Sequence, residues 1–168
     1  MKTLFVLRHA KASGPMSAAT DFDRPLDPRG RAQAADLGRT IRARGLEFGA
    51  IVASPAQRVV ETIAGLGDVR RATAPRFDPR AYSASLETLL AIIRDIDDGV
   101  DRLLLVGHNP GLHLLLFELA QDDPDGFLGQ VASGFPTATL AELGLAVDQW
   151  REVEPRCGRI VSLVRGQD

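Results

Sequence analysis

Short unbroken apolar runs alternate along the chain with stretches whose apolar residues recur every three or four positions. Leu4 to Leu7 (LFVL), Ala50 to Ala53 (AIVA) and Arg102 to Gly107 (RLLLVG) have the length and continuity of strands buried on both faces. Arg29 to Arg44 sets Ala34, Leu37 and Ile41 on one face and ends at Gly45, a pattern that predicts an amphipathic helix with a glycine stop. Ser54 and Pro55 are expected to open a second helix through about Leu66. Ser54 with Gln57 makes a capping-box pattern, and the proline suits the first helical position. Leu86, Leu89, Leu90, Ile93 and Ile96 mark a third helix closing near Gly99. Asn109 can cap a fourth that Pro110 begins and that runs to about Ala120. After Pro136, TATLAEL and QWREV read as two strands of a hairpin joined near Gly144 to Asp148. Repeated strand–helix units predict an α/β fold of three layers, α/β/α, with a mostly parallel central sheet and an antiparallel extension near the C-terminus. Ser13 to Pro28, rich in Ser, Ala, Asp and Pro, is expected to be a long loop.

At 168 residues, with no linker or repeat, the chain reads as one domain over 1–168. Twenty Lys and Arg against 22 Asp and Glu give a net charge of -2, no footprint for nucleic acid or an anionic membrane, so any anion site must be local. No run approaches the roughly 20 apolar residues of a membrane span, and the N-terminal run is too short and too soon broken by Arg8 for a signal peptide. A cytoplasmic location is expected. One cysteine, Cys157, leaves no disulfide framework and no Cys-rich zinc site.

Three strand ends then carry the chemistry. LFVL runs straight into Arg8 and His9, AIVASPAQ leads to Arg58 at the fourth position of its expected helix, and LLLVG runs into His108. In a parallel sheet the carboxyl ends of the strands share one edge, where ligands bind, so two arginines and two histidines should converge there. Paired guanidiniums beside helix N-termini favour a phosphate or carboxylate. Taken singly, Arg58 could be a solvated surface residue and His108 a core imidazole; jointly they read as an anion site.

L-R-H after the first strand, S-P-x-x-R-x-x-E-T after the second and V-G-H-N-P-G around His108 resemble the histidine phosphatase superfamily, the phosphoglycerate-mutase-like fold. The short length, RHAKAS and DFDRPLDPRG look like its SixA-like phosphohistidine phosphatase branch. The resemblance implies a phosphatase with His9 as the covalent nucleophile and Arg8, Arg58 and His108 on the phosphoryl oxygens, with no metal and no cofactor. It implies a phosphorylated partner, a protein bearing phosphohistidine, with phosphatase action on small phosphate esters and a non-catalytic phospho-binding module as the alternatives. Ala10 replaces the glycine of the common R-H-G signature. Ester phosphatases of this kind usually supply a carboxylate acid; Asp78 lies where it commonly falls, although an ordinary solvated aspartate fits as well. Ser13 could touch phosphate from the first loop, and Tyr82 and Ser83 could line the mouth.

Other signals read as structural. Asp21-Phe22-Asp23 has the D-x-D spacing of another phosphatase class, but no hydrophobic strand precedes it, and Asp23 is expected to pair locally with Arg24. Cys157 lacks the arginine of a C-x5-R thiolate site, since Leu163 stands there. His108 and His113 are five apart and do not share a helix face; His113 is expected to be a surface or packing residue. Arg70 and Arg71 read as solvated charge. Leu112, Leu115, Leu116 and Leu119 with Leu114 and Phe117 make the fourth helix apolar nearly all round, which points to deep burial or to a homodimer contact. The chain is thus expected to be a monomer or weak homodimer.

Overall fold

The computed structural model describes residues 1–121 and 126–168. In chain order the elements are β1 Lys2–Arg8, α1 Pro28–Ala43, β2 Glu47–Phe48, β3 Ala50–Ala53, α2 Gln57–Gly65, β4 Arg70–Arg71 and β5 Arg76–Phe77. They continue with α3 Leu86–Arg94, β6 Arg102–Gly107, α4 Gly111–Leu119, α5 Phe127–Ser133, β7 Thr139–Leu145 and β8 Gly158–Arg165. Six strands form one sheet in the order β5-β3-β6-β1-β7-β8; the first four are parallel, and β7 and β8 add on antiparallel.

The continuous apolar runs follow from burial on both faces. Along β1, Leu4 and Val6 point into one core, with Leu89, Ile92 and Ile93 of α3 and Leu112, Leu115 and Leu116 of α4. Phe5 and Leu7 point into the other, with Leu37 and Ile41 of α1 and Val59 and Ile63 of α2. Strand β6 alternates the same way, Leu103 and Leu105 to the first core and Leu104 and Val106 to the second. The three-layer α/β/α arrangement predicted from the pattern is present.

Helix α1 starts one residue earlier than expected because Asp27 caps it, accepting from the Gly30 N–H at 2.7 Å. Helix α3 ends at Arg94, short of Gly99. QWREV is not a strand. Residues 150–152 form one 3-10 turn, which puts Trp150 and Val153, three apart, on the same inward side; both are buried, and Trp150 Nε1 donates to the Val100 carbonyl at 2.7 Å. The hairpin partner of β7 is β8 instead.

Helix α4 corrects the expectation of deep burial. Leu112, Leu115, Leu116 and Leu119 are fully buried, yet Leu114 is 52% and Phe117 40% exposed, since the helix packs on the sheet by one face only. His113 is half-buried and bonds the Val131 carbonyl, tying α4 to α5. At the opposite, N-terminal end of the strands, a hollow of about 440 Å³ is edged by Glu47, Arg70, Arg71 and Arg102. Arg70 and Arg71 are exposed as expected, and Arg70 pairs with Glu47. Among the described residues no helix is long and apolar enough to cross a membrane.

Candidate active site

The sheet ladder itself sets the site. Strand β6 lies between β3 and β1, and each neighbour carries its bonding to β6 one residue past its own end. The His9 N–H donates to the Gly107 carbonyl at 3.1 Å, and the Ser54 N–H to the Val106 carbonyl at 3.0 Å. His9 and Ser54 therefore flank His108, and the ring centroids of His9 and His108 stand 5.2 Å apart.

Ser54 does not cap α2, which begins at Gln57, so Arg58 is the second helical residue and not the fourth. The serine hydroxyl is engaged elsewhere: its Oγ accepts from the Ala56 N–H at 3.2 Å and lies 2.8 Å from His108 Nε2. Pro110 is likewise the cap of α4, not its first residue, and the Asn109 side chain donates to the Phe135 carbonyl at 2.8 Å. Helix α2 also holds the loop after β1. Thr62 Oγ1 accepts from the Ala10 N–H at 3.0 Å, and the Glu61 carboxylate accepts from the Leu26 N–H at 3.3 Å, which accounts for the E-T of the motif.

Protonation states follow from these contacts. His9 is 8% exposed, and its Nδ1 lies 2.7 Å from the Ala10 carbonyl, an acceptor only, so Nδ1 carries the proton and Nε2 keeps its lone pair. Burial pushes the His9 pKa down to about 3; the Ala10 carbonyl opposes this, and His108, Arg58 and Arg8 add to it. Arg58 Nη2 donates to His108 Nδ1 at 3.3 Å, which leaves the His108 proton on Nε2, directed to Ser54. The His108 pKa falls to about 4, through burial first and then Arg58, against the pull of Asp21. Both imidazoles are neutral at neutral pH.

Arg8 donates from Nη1 to the Phe135 carbonyl at 3.1 Å, and burial lowers its pKa. Arg58, 8% exposed, is held by Asp21: Nη1 donates to the Asp21 carbonyl at 2.7 Å and Nη2 to its carboxylate at 3.1 Å. The two arginines and two histidines anticipated from the strand ends are thus drawn to one edge of the sheet. Beside them lies a pocket of about 380 Å³ lined by Asp21, Arg58, Ser83–Ser85 and His108–Gly111. Ser83 lines it as anticipated. Tyr82 packs edge-on against His108 at 5.6 Å and donates its hydroxyl to Asp21 at 2.7 Å.

Asp78 is placed differently. It is neither solvated nor at the pocket: it is 6% exposed, caps the turn at 79–81, and is clasped by Arg80 and Arg76. The Arg80 hydrogen bond leads in holding its carboxyl below the usual range. Ser13 is fixed through its main chain, its carbonyl accepting from both Nε and Nη2 of Arg24. Arg24 pairs with Asp21, not with Asp23, whose carboxylate accepts from Thr20. Asp21, Ser54 and Asn109 are the site residues that the strand-end reading passed over. Ser54 and Asn109 stood in the quoted motifs but read as helix caps, and Asp21 read only as part of a D-x-D loop.

Comparison with known proteins fixes the family. Residues 4–82 match the model of the histidine phosphatase superfamily (branch 1). An uncharacterised protein of Mycobacterium tuberculosis is 36% identical over 157 residues, covering 92% of this chain and 96% of the relative. The chain belongs to the histidine phosphatase superfamily. Among solved structures, a protein assigned as the phosphohistidine phosphatase SixA from Nakamurella multipartitia superposes with a TM-score of 0.84 at 25% identity, covering 98% of this chain and 96% of that one. A protein so assigned from Agrobacterium tumefaciens gives 0.77 at 27%, covering 97% of each. This chain is a phosphatase of the histidine phosphatase type.

Proposed function

We propose that the chain hydrolyses phosphohistidine on a partner protein, through a phosphoryl group carried on His9 and without a metal. The observation that supports this best is the His9 tautomer. With Nδ1–H tied to the Ala10 carbonyl, the Nε2 lone pair is available at neutral pH beside Arg8, Arg58 and His108. A neutral imidazole with its orientation fixed is a competent nucleophile. Positive groups around a transferring phosphoryl stabilise the charge on its equatorial oxygens, so the arginines can do what a metal does elsewhere.

In the first step His9 Nε2 bonds to phosphorus as the bond to the leaving group breaks. Water then attacks the phosphorus, the P–N bond to His9 breaks, and both water protons leave with the phosphate. Substrate choice is argued from the leaving group. An alkoxide needs a proton in the transition state. Asp78 is spent on Arg80 and Arg76, and Asp21, the single carboxylate among the described pocket residues, is held ionised by hydrogen bonds from Tyr82, Arg24 and Arg58. A phosphoimidazole protonated on its other nitrogen departs as neutral imidazole and needs no acid. The SixA-assigned neighbours support the same reading.

The test compares kcat/KM for a phosphohistidine peptide and a phosphoserine peptide of one sequence, with rapid quench to locate labelled phosphate. A strong preference for phosphohistidine and label on His9 are expected. Equal values favour a general ester phosphatase, and label on any other residue overturns the mechanism.

A further inference from the structure

An ionised carboxylate beside the arginine of a phosphate site is at first sight a fault. Asp21 weakens the attraction of Arg58 for any anion and occupies two of its N–H donors. Yet it is firmly built in. Three side chains converge on the carboxylate: Tyr82 Oη at 2.7 Å, Arg24 Nη1 at 2.9 Å and Arg58 Nη2 at 3.1 Å. The loop that carries it is pinned as well, the Phe22 carbonyl accepting from the Gln57 N–H at 3.0 Å and the Phe22 ring meeting Tyr82 edge-on at 5.1 Å. Even so, the Asp21 side chain remains 52% exposed and lines the pocket with Arg58, Ser85, His108 and Asn109. Such a group repels a simple phosphate and favours a substrate whose far end is cationic.

We propose that Asp21 is a specificity-determining residue that receives the protonated ring of the leaving imidazole, accepting its N–H while the arginines take the phosphoryl oxygens. This rests on the phosphohistidine reading above. The substrate is then a dipole, a phosphoryl dianion joined to an imidazolium, and the site presents the complementary order: the Arg8 and Arg58 guanidiniums beside buried His9, and Asp21 at the exposed edge. The transfer needs no proton movement. The P–N electron pair returns to the leaving ring, which keeps its other N–H on Asp21 and departs neutral; the new phospho-His9 ring keeps its Nδ1–H on the Ala10 carbonyl. A serine or sugar ester gains nothing from the same carboxylate, because an ionised acid has no proton to give the departing oxygen.

The test measures kcat/KM for a phosphohistidine peptide and for p-nitrophenyl phosphate, from pH 6 to 9, in wild type, Asp21→Asn and Asp21→Glu. Asparagine can still accept from Arg58 and Tyr82, so the loop should keep its place, which thermal melting checks; Asp21→Ser supplies a second neutral variant. At pH 6.5, Asp21→Asn should lose at least tenfold on phosphohistidine and gain on p-nitrophenyl phosphate, whose leaving group is an anion. Asp21→Glu should retain more of the preference. The deficit of Asp21→Asn on phosphohistidine should shrink toward pH 9, as the substrate ring, titrating near neutrality like imidazole itself, loses its proton. The groups facing Asp21 are Arg24, Arg58, Tyr82 and His108; His108 is already neutral throughout this range, so it does not imitate that trend. An unchanged substrate ratio, or a deficit constant from pH 6 to 9, overturns the role of Asp21 while leaving phosphohistidine as substrate. A wild type that does not cleave phosphohistidine overturns both.

Discussion

Arg58 illustrates how much one side chain is asked to do. It reaches a main-chain carbonyl, a carboxylate and an imidazole nitrogen at once, and three N–H groups in a fixed plane meet those demands where a rotating ammonium does not. Arg58→Ala should cost about 2–4 kcal/mol in kcat/KM, the scale of losing one preorganised donor to a transition-state charge. Arg58→Lys should recover only part of that. A lysine variant with full activity would show that charge alone suffices. The gathering of Arg8, His9 and His108 at one edge of the sheet was legible in the sequence because strand ends are legible and a fixed cation next to an apolar run is conspicuous. Arg58, by contrast, sits in α2 and was reached only through the spacing that follows β3. The place of Asp21 at the pocket was not legible, because its partners lie 3, 37 and 61 residues away and only Arg24 is local.

Among the elements, α1 shows how a helix shapes the loop that follows His9. A Cβ built on Gly30 would fall 2.0 Å from the Lys11 carbonyl oxygen, so only glycine lets the helix start lie against the chain just past His9. The contact is reinforced by the Asp27–Lys11 ion pair at 2.6 Å and by Gln33 Oε1 accepting from the Lys11 N–H at 3.0 Å. Gly30→Ala forces backbone apart and should destabilise by about 1–3 kcal/mol, the usual range for overpacking. The measurement is thermal melting together with kcat/KM, and activity should fall with stability because the loop after His9 moves. An alanine variant with wild-type melting would mean that α1 can shift freely. The first turn of α1 was readable as a helix start. Its approach to Lys11 was not, since no local pattern encodes which backbone a glycine will meet. The QWREV segment failed because its Trp and Val favour a strand and so short a run carries little pattern; Trp150 and Val153, three apart, share a side only in a helical turn, and the core chose that.

For the whole molecule, burying two neutral imidazoles makes folding pH-dependent. Both are harder to protonate in the folded chain, with pKa values near 3 and 4, than in the unfolded chain, where histidine titrates near 6.5. Stability is therefore intact above about pH 6.5 and declines as pH falls toward 4, because the unfolded state takes up protons that the folded state refuses. The loss should be about 1–2 kcal/mol for each imidazole by pH 5. Carboxylates held low, such as Asp21 and Asp78, lose their contribution at more acidic pH, so the two effects separate. Urea midpoints at pH 7.5 and 5.0, in phosphate-free buffer, should differ clearly for the wild type and much less for a His9→Asn, His108→Asn double variant. Equal pH dependence in the two proteins would place the effect elsewhere.

Sequence by itself determined the layer order, the parallel core of the sheet and the strand ends that carry Arg8, His9 and His108. Those depend on periodicity and on bonds between near neighbours, which are local properties. Tertiary structure decided which hydrogen each imidazole keeps, that Ser54 serves His108 instead of capping α2, that Asp78 is consumed by Arg80, and that Asp21 stands at the pocket. Each of these is a competition among donors and acceptors distant in the chain. The winner depends on which of them the sheet register and the helix packing bring within 3 Å or so, and burial then makes that outcome costly to undo.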